Sequence, residues 1–232
     1  MQRRTLLFIT TMIAHGGLAP PAAGEADVIA GRAVAVGGRQ ASVTPCFTCH
    51  GIDGIGDGTG AFPRLAGQAG FYMYKQLIDY ASGARPNHTM SPIAQEMTEQ
   101  QMVDVAAYYA SRTVPYFPPP DVAAAVLERG KAIAEGALDD AGVPACHWCH
   151  GENGTGNPPS FPYLAGQYAA YTALQFRFWK QDQRRNDPLD VMREIAKRLS
   201  DDDIRALALY FETLRPADAL TIEQDYEQAA AD

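Results

Sequence analysis

The sequence of 232 residues predicts an all-α fold of two tandem helical domains, and an internal duplication is the strongest reason. Five blocks recur in the same order at offsets of 99 to 102 residues, among them Phe-Pro-Arg-Leu-Ala-Gly-Gln at 62–68 and Phe-Pro-Tyr-Leu-Ala-Gly-Gln at 161–167. Apolar residues recur at helical spacing, and no convincing strand-like alternation is present. The length suits two domains of roughly 100 residues each.

Each copy is predicted to contain an opening, a middle and a closing helix, with a glycine-rich loop before the middle one. The predicted opening helices cover 27–37 and 122–136, the loops 51–60 and 151–157, and the middle helices 69–82 and 167–182. The closing helices follow capping boxes that pair Thr98 with Gln101 and Ser200 with Asp203. Asp121 stands before the second opening helix and is predicted to be its N-cap.

Both opening helices contain a glycine, Gly31 and Gly130. A glycine inside a helix costs about 1 kcal/mol relative to alanine, so its presence suggests a packing requirement. We expect the two glycines to allow close approach of Tyr108 and Tyr210 on the closing helices.

The chain divides into four predicted segments. The first is a secretory signal peptide, because two arginines precede a short apolar run and a stretch of small residues and prolines. The apolar run is much shorter than the ~20 residues that cross a bilayer. Three consecutive prolines favour an extended connector between the copies. The predicted segments are a signal peptide at 1–24, a first domain at 25–117, a second domain at 118–215 and an acidic tail at 216–232.

Composition excludes several classes of protein. Hydrophobic residues make up 47% and charged residues 20% of the chain, which is typical of a folded soluble protein. The net charge of −8 argues against binding nucleic acid through its phosphates. A signal peptide predicts export to a bacterial periplasm, where cysteines meet an oxidising environment.

All four cysteines lie in two Cys-X-X-Cys-His motifs, at 46–50 and 146–150. This spacing is the attachment signature of c-type haem. Two residues between the cysteines, on a helical turn, let both sulfurs reach the vinyl-derived carbons of one porphyrin, and the next residue presents its imidazole to the iron. The residues predicted to hold two covalent haem c groups are Cys46, Cys49 and His50, and Cys146, Cys149 and His150.

Three other interpretations fit the cysteines less well. A thioredoxin-like redox pair needs a strand–helix context that the pattern lacks. A zinc site made from all four cysteines leaves the trailing histidine of each motif unexplained. Disulfides within the motifs would close a strained two-residue loop.

Methionines are the predicted distal ligands. Met192 is the only methionine after residue 150, and no histidine follows His150. Met90 occupies the equivalent position in the first copy, since both precede an Ile-Ala pair by three residues. His88 and three other methionines, including Met73, remain alternatives in the first copy.

Four residues near the motifs have predicted supporting roles. The carbonyls of Pro63 and Pro162 are expected to accept the Nδ1 proton of the proximal histidines, which fixes the tautomer and raises its basicity. Phe47 and Trp148, inside the motifs, are expected to be packed so that they shield the cofactor from solvent.

Histidine–methionine ligation predicts electron transfer without catalysis. A thioether ligand favours Fe(II) and raises the reduction potential. It also occupies the sixth coordination position, so no site remains for peroxide or oxygen. We therefore expect a carrier and not an enzyme, with a di-haem peroxidase as the catalytic alternative.

These residues resemble the cytochrome c4 family, in which two class I cytochrome c domains each wrap around one haem. The resemblance rests on the paired Cys-X-X-Cys-His-Gly and Pro-X-Leu-Ala-Gly-Gln segments, on Met90 and Met192, and on the Ala-X-Tyr closing helices. It implies a periplasmic carrier, sometimes loosely membrane-associated, with redox partners such as a terminal oxidase, a quinol-oxidising complex or a dehydrogenase. The related alternative is the di-haem subunit of flavocytochrome c sulfide dehydrogenase. Asp190-Val191 before Met192, and no Ser-Pro after it, depart from the first copy.

Overall fold

The computed structural model describes residues 24–37, 43–113 and 116–215. Residues 1–23 of the predicted signal peptide and the whole predicted acidic tail lie outside the described residues. The described part contains ten α-helices: α1 Val28–Ala35, α2 Phe47–His50, α3 Gly70–Ser82, α4 Met90–Gln95, α5 Glu99–Ala110, α6 Ala124–Ala134, α7 His147–His150, α8 Ala169–Lys180, α9 Val191–Arg198 and α10 Asp201–Thr213. Single 3₁₀ turns lie at Asp139–Ala141, Glu152–Gly154 and Pro188–Asp190.

The predicted all-α class is confirmed, and the six predicted opening, middle and closing helices are present. Over the described ranges, the sole β feature is an isolated antiparallel bridge between Asn157 and Phe161. The N-cap assigned to Asp121 was wrong, because α6 begins only at Ala124, and its N-cap residue is Ala123, which makes no side-chain cap. Within the same ranges, no helix combines the length and apolar character that crossing a membrane requires.

Both predicted capping boxes are present at the starts of the closing helices. The Thr98 side chain accepts the backbone N–H of Gln101, whose own side chain accepts the N–H of Thr98. Ser200 and Asp203 form the same reciprocal pair at the start of α10. These boxes fix where α5 and α10 begin, a few residues after the short helices α4 and α9 that contain Met90 and Met192.

The opening and closing helices of each domain cross at the predicted glycines. A Cβ atom on Gly31 would lie 2.0 Å from the backbone oxygen of Asp104 and 2.9 Å from Cβ of Tyr108. At Gly130 the equivalent distances, to Ala206 oxygen and Tyr210 Cβ, are 2.2 and 2.7 Å. The expected close approach is therefore present, and the backbone of the closing helix comes even nearer than the tyrosine.

Each domain has its own hydrophobic core. The first core joins α1, α3 and α5 and includes Val34, Met73 and Val105. The second joins α6, α8 and α10 and includes Ile133 and Leu207. Two separate cores agree with the duplication, because each copy buries its own apolar residues.

The segment between the domains is packed rather than free. The guanidinium of Arg64 lies 3.8 Å from the centroid of the Tyr116 ring. The carbonyl oxygen of Phe117 accepts a 2.7 Å hydrogen bond from Arg215. Tyr168 of the second domain donates to the carbonyl of Ile55 in the first, at 2.5 Å. These contacts fasten the two halves to each other.

Candidate functional site

A cavity of about 670 Å³ lies between the two domains and is lined by side chains from both. The predicted site residues in its wall are Cys46, Cys49, His50, Pro63, Met90, His150, Pro162 and Met192. Cys146 and Cys149 do not line it, although Cys146 precedes the helical turn of His150 and Cys149 lies within it. The structure therefore brings one histidine and one methionine from each copy to a shared space.

One turn of helix orients each Cys-X-X-Cys-His motif. The carbonyl of Cys46 accepts backbone hydrogen bonds from Cys49 at 3.2 Å and from His50 at 2.9 Å. The carbonyl of Cys146 is bonded in the same way to the N–H groups of Cys149 and His150. The turn therefore explains the spacing of the motif, because the second cysteine and the histidine follow the first within one helical turn.

The histidine of each motif is buried and bonded through Nδ1 to a proline carbonyl. The Nδ1 atom of His50 lies 3.0 Å from the oxygen of Pro63, and Nδ1 of His150 lies 2.9 Å from the oxygen of Pro162. Because a carbonyl can only accept, Nδ1 carries the proton and Nε2 is left with a free lone pair. Burial lowers the pKa of both imidazoles, against the opposing effect of the carbonyl, so each is neutral and ready to bind a metal.

The first cysteine of each motif has a poorly reactive thiol. Burial raises the pKa of Cys46 and of Cys146 to about 11. Redox-active cysteines have lowered pKa values, so these thiols do not resemble a thioredoxin-like pair. None of the four cysteines forms a disulfide. Among the described residues, no three His, Cys, Asp or Glu side chains are grouped as metal ligands.

The two candidate distal methionines sit at the starts of short helices that were not predicted. The N–H of Met90 donates to Oδ1 of Asn87 at 2.8 Å, and the N–H of Met192 donates to Oδ2 of Asp187 at 2.8 Å. Both side chains are half-buried. The alternatives also reach the cavity wall, since His88 is exposed at its edge and Met73 is buried on α3.

Comparison with known proteins places this arrangement in a family. A family model described as cytochrome c matches residues 35–112. The thiosulfate dehydrogenase electron acceptor of Stutzerimonas stutzeri (strain A1501) is 42% identical over 180 residues, which cover 75% of this chain and 81% of that protein. Cytochrome c4 of Stutzerimonas stutzeri is 37% identical over 202 residues, covering 80% of this chain and 93% of that protein. The chain belongs to the cytochrome c4 family.

The fold agrees with that of a cytochrome c4 solved by crystallography. The structure of reduced recombinant cytochrome c4 from Pseudomonas stutzeri matches with a TM-score of 0.71 at 36% identity, covering 82% of this chain and 100% of that one. The predictions of two class I cytochrome c domains and of two covalently bound haem c groups are confirmed. This cytochrome c4 is a di-haem electron-transfer protein.

The polar wall of the cavity fits a cofactor with carboxylate substituents. Arg85 and Arg184 are each at most 5% exposed, and their guanidiniums share the side-chain oxygens of Gln76 and Gln175 at 2.6 to 3.1 Å. Within the described ranges neither guanidinium forms an ion pair with a carboxylate. Two buried cations without anions are costly, and haem propionates would supply the missing charge.

A buried indole in the second domain also indicates a place for an anionic group of the cofactor. Nε1 of Trp179 is buried and has no hydrogen-bond partner among the described residues. Its ring lies 4.1 Å from the guanidinium of Arg184, and both residues line the cavity. An unpaired buried N–H next to a buried cation suits an anionic oxygen of the bound haem.

Two aromatic residues differ from their predicted role. Phe47 is 43% exposed and Trp148 is 64% exposed, so the expectation that they form shielding packing was wrong. Each motif forms a single turn whose inner face carries the buried histidine, and its intervening residues point outward. In this cytochrome, each of the two rings lies on the surface at its attachment motif.

Sequence reasoning missed the cavity's polar residues although the duplication contained a signal for them. Arg85 and Arg184 are separated by 99 residues, as are Gln76 and Gln175. That offset equals the spacing of the Pro-X-Leu-Ala-Gly-Gln blocks. Identical polar residues at the repeat offset, on or after a middle helix, would have indicated a shared function.

Proposed function

We propose that this cytochrome c4 is a periplasmic carrier that takes single electrons from a respiratory donor and delivers them to a terminal oxidase. Cys46, Cys49, Cys146 and Cys149 attach the two haems through thioether bonds. His50 and Met90 ligate the iron of the first domain, and His150 and Met192 that of the second. The shared cavity is the observation that carries this proposal, because both pairs of axial residues line it.

The chain's residues prepare the site for reversible one-electron exchange. When bound, each haem supplies an iron that gains and loses one electron. The neutral, buried histidines are held by Pro63 and Pro162, and Met90 and Met192 would supply the second protein ligand to each iron. With both ligands supplied by side chains, the iron would have no position for a substrate, so no turnover is expected. Purified protein that transfers electrons to an oxidase but reduces hydrogen peroxide slowly supports the proposal, and rapid peroxide turnover contradicts it.

The division of the chain into segments belongs to the same proposal. Residues 1–24 direct export and are removed, residues 25–117 and 118–215 form the two haem domains, and residues 216–232 form an acidic tail. Mass spectrometry of the periplasmic protein tests this. A periplasmic chain that still contained Arg3 and Arg4 would contradict removal of the signal peptide.

A sulfur-compound dehydrogenase is the donor favoured by a specific observation. The relative that is 42% identical is named as the electron acceptor of thiosulfate dehydrogenase. We propose a donor of that type in preference to flavocytochrome c sulfide dehydrogenase. Stopped-flow reduction by purified thiosulfate dehydrogenase with thiosulfate tests the choice. Faster reduction by a sulfide-oxidising flavoprotein, or a stoichiometric complex with it, would favour the alternative.

The charge of the chain predicts salt-sensitive docking. Residues 25–117 carry a net charge of −2, whereas residues 118–232 carry −8. At low ionic strength, and after correction for the difference in driving force, we expect a cationic cobalt complex to oxidise the reduced protein faster than ferricyanide does. The reason is that the negatively charged protein attracts the cation and repels the anion. The difference should shrink as salt approaches about 1 M, where the Debye length is only ~3 Å. A chain ending at Arg215 is the matched control and should show a weaker salt dependence, since it lacks five acidic residues. Rates independent of salt would contradict the prediction.

A further inference from the structure

The peptide group between Pro63 and Arg64 is hydrogen-bonded at both ends. Its carbonyl, from Pro63, accepts the Nδ1 proton of His50 at 3.0 Å. Its N–H, from Arg64, donates to Oε1 of Gln167 at 3.0 Å. Gln167 belongs to the second domain, 103 residues away. One peptide unit therefore connects the histidine of one domain to a side chain of the other.

The second domain contains the reciprocal arrangement. The carbonyl of Pro162 accepts from Nδ1 of His150 at 2.9 Å. The N–H of the same peptide, from Tyr163, donates to Oε1 of Gln68 in the first domain at 3.0 Å. The two connections cross, so each histidine is linked to the glutamine of the opposite domain.

Both glutamines are fixed in place. Nε2 of Gln167 donates to the carbonyl of Arg64 at 2.9 Å, and Nε2 of Gln68 donates to the carbonyl of Tyr163 at 3.0 Å. Each side chain thus pairs with both backbone groups of one residue. Each glutamine is only 8% exposed, so water does not compete effectively for these bonds.

A peptide hydrogen-bonded in this way is polarised. Donation by its N–H draws electron density toward the carbonyl oxygen, which becomes a stronger acceptor because hydrogen bonds in a chain reinforce one another. A stronger acceptor at Nδ1 makes the imidazole a more basic ligand. A more basic imidazole stabilises Fe(III) relative to Fe(II), so it lowers the reduction potential.

We propose that Gln167 is a positioning residue for the haem of the first domain and Gln68 for the haem of the second. The reduction potential of each iron then depends on a side chain of the other domain. This rests on the proposed ligation by His50 and His150. Separation or rotation of the domains would weaken both links, so the tuning exists only in the assembled pair.

The variants Gln167→Leu and Gln68→Leu of the full holoprotein test the crossed assignment. Two readouts are needed: the exchange rate of each histidine Nδ1 proton by NMR, and the potential of each haem. In Gln167→Leu we expect exchange at His50 to accelerate about fivefold, as for the loss of one buried hydrogen bond, with His150 unchanged. The potential of the first haem should rise. Gln68→Leu should show the reverse pattern.

Tyr168→Phe is the matched control for a general loosening of the interface. Tyr168 is 5% exposed and its hydroxyl donates across the domains to the carbonyl of Ile55 at 2.5 Å, so the variant removes an interdomain hydrogen bond that involves neither histidine-linked peptide. Exchange at both histidines should stay close to wild type. Gln167→Glu retains an oxygen acceptor and should also preserve slow exchange at His50. If Gln167→Leu loses haem, Gln167→Met, which is unbranched, carries the same prediction.

Effects confined to the haem of the mutated domain, or equal at both haems, would overturn the proposal. Failure of the underlying ligation is recognised separately in the wild-type protein. There, absence of paramagnetically shifted resonances from His50 or His150 would show that these residues do not bind iron. If both histidines bind iron but each glutamine variant changes only the haem of its own domain, the glutamine proposal is rejected and the proposed ligation stands.

Discussion

Replacement of Met192 by alanine is expected to lower the reduction potential of the second haem by on the order of 0.2 V, within the roughly 0.8 V range that axial ligands cover. The proposed ligation explains this expectation, because Met192 would supply a soft thioether that stabilises Fe(II) and alanine would not. The sulfur-to-iron charge-transfer band of the oxidised protein should fall to about half, because one of two such bonds is lost. Met90→Ala should do the same for the first haem.

Two control variants separate ligation from packing. Met73 is buried in the same cavity wall on α3, so Met73→Leu should keep the full charge-transfer intensity. His88→Ala should also leave the spectrum unchanged, because Met90 and not His88 is the proposed ligand of the first iron. A Met90→Ala variant with full charge-transfer intensity would contradict the assignment of Met90.

Gly31→Ala is expected to destabilise the first domain by about 2–3 kcal/mol, the range typical of overpacking. The added Cβ would lie 2.0 Å from the backbone oxygen of Asp104. No rotamer change relieves a clash with backbone, so α1 and α5 must separate. The loss should exceed the gain of about 1 kcal/mol that alanine brings to a helix. Denaturant unfolding followed by circular dichroism measures the change.

Two variants in the same protein make the result specific. Gly130→Ala should affect the second domain similarly, because its Cβ would lie 2.2 Å from the oxygen of Ala206. Gly70→Ala, at the start of α3, is the matched control, since its Cβ would meet Ala110 at an ordinary 3.5 Å. Its stability should stay within about 1 kcal/mol of wild type. Equal losses at Gly70 and Gly31 would show that helix packing is not the cause.

The duplication explains why so much of the fold was predictable. Offsets near 100 residues and the two capping boxes locate the same three helices in each copy, because those signals are local in sequence. The single helical turn of each Cys-X-X-Cys-His motif was also predictable, because its residues are close together in sequence. By contrast, Asp121 failed as a cap because α6 begins three residues later, at Ala124, and a favourable residue type alone does not reveal where a helix starts.

The relation between the domains lies beyond what the sequence predicts. Gln167 bonds to Arg64 across 103 residues, and that contact depends on how two separately formed cores dock. The same holds for the pairing of Arg85 with Gln175. The outward orientation of Trp148 was missed for a related reason, because its side chain faces away from the buried histidine of its own turn.

The most direct test is the near-infrared magnetic circular dichroism of the oxidised periplasmic protein, recorded together with its haem content per chain. We expect two haem groups that acid acetone does not extract, and charge-transfer intensity from sulfur bound to both irons. A single haem per chain, an extractable porphyrin, or a bis-histidine spectrum at either iron would contradict it.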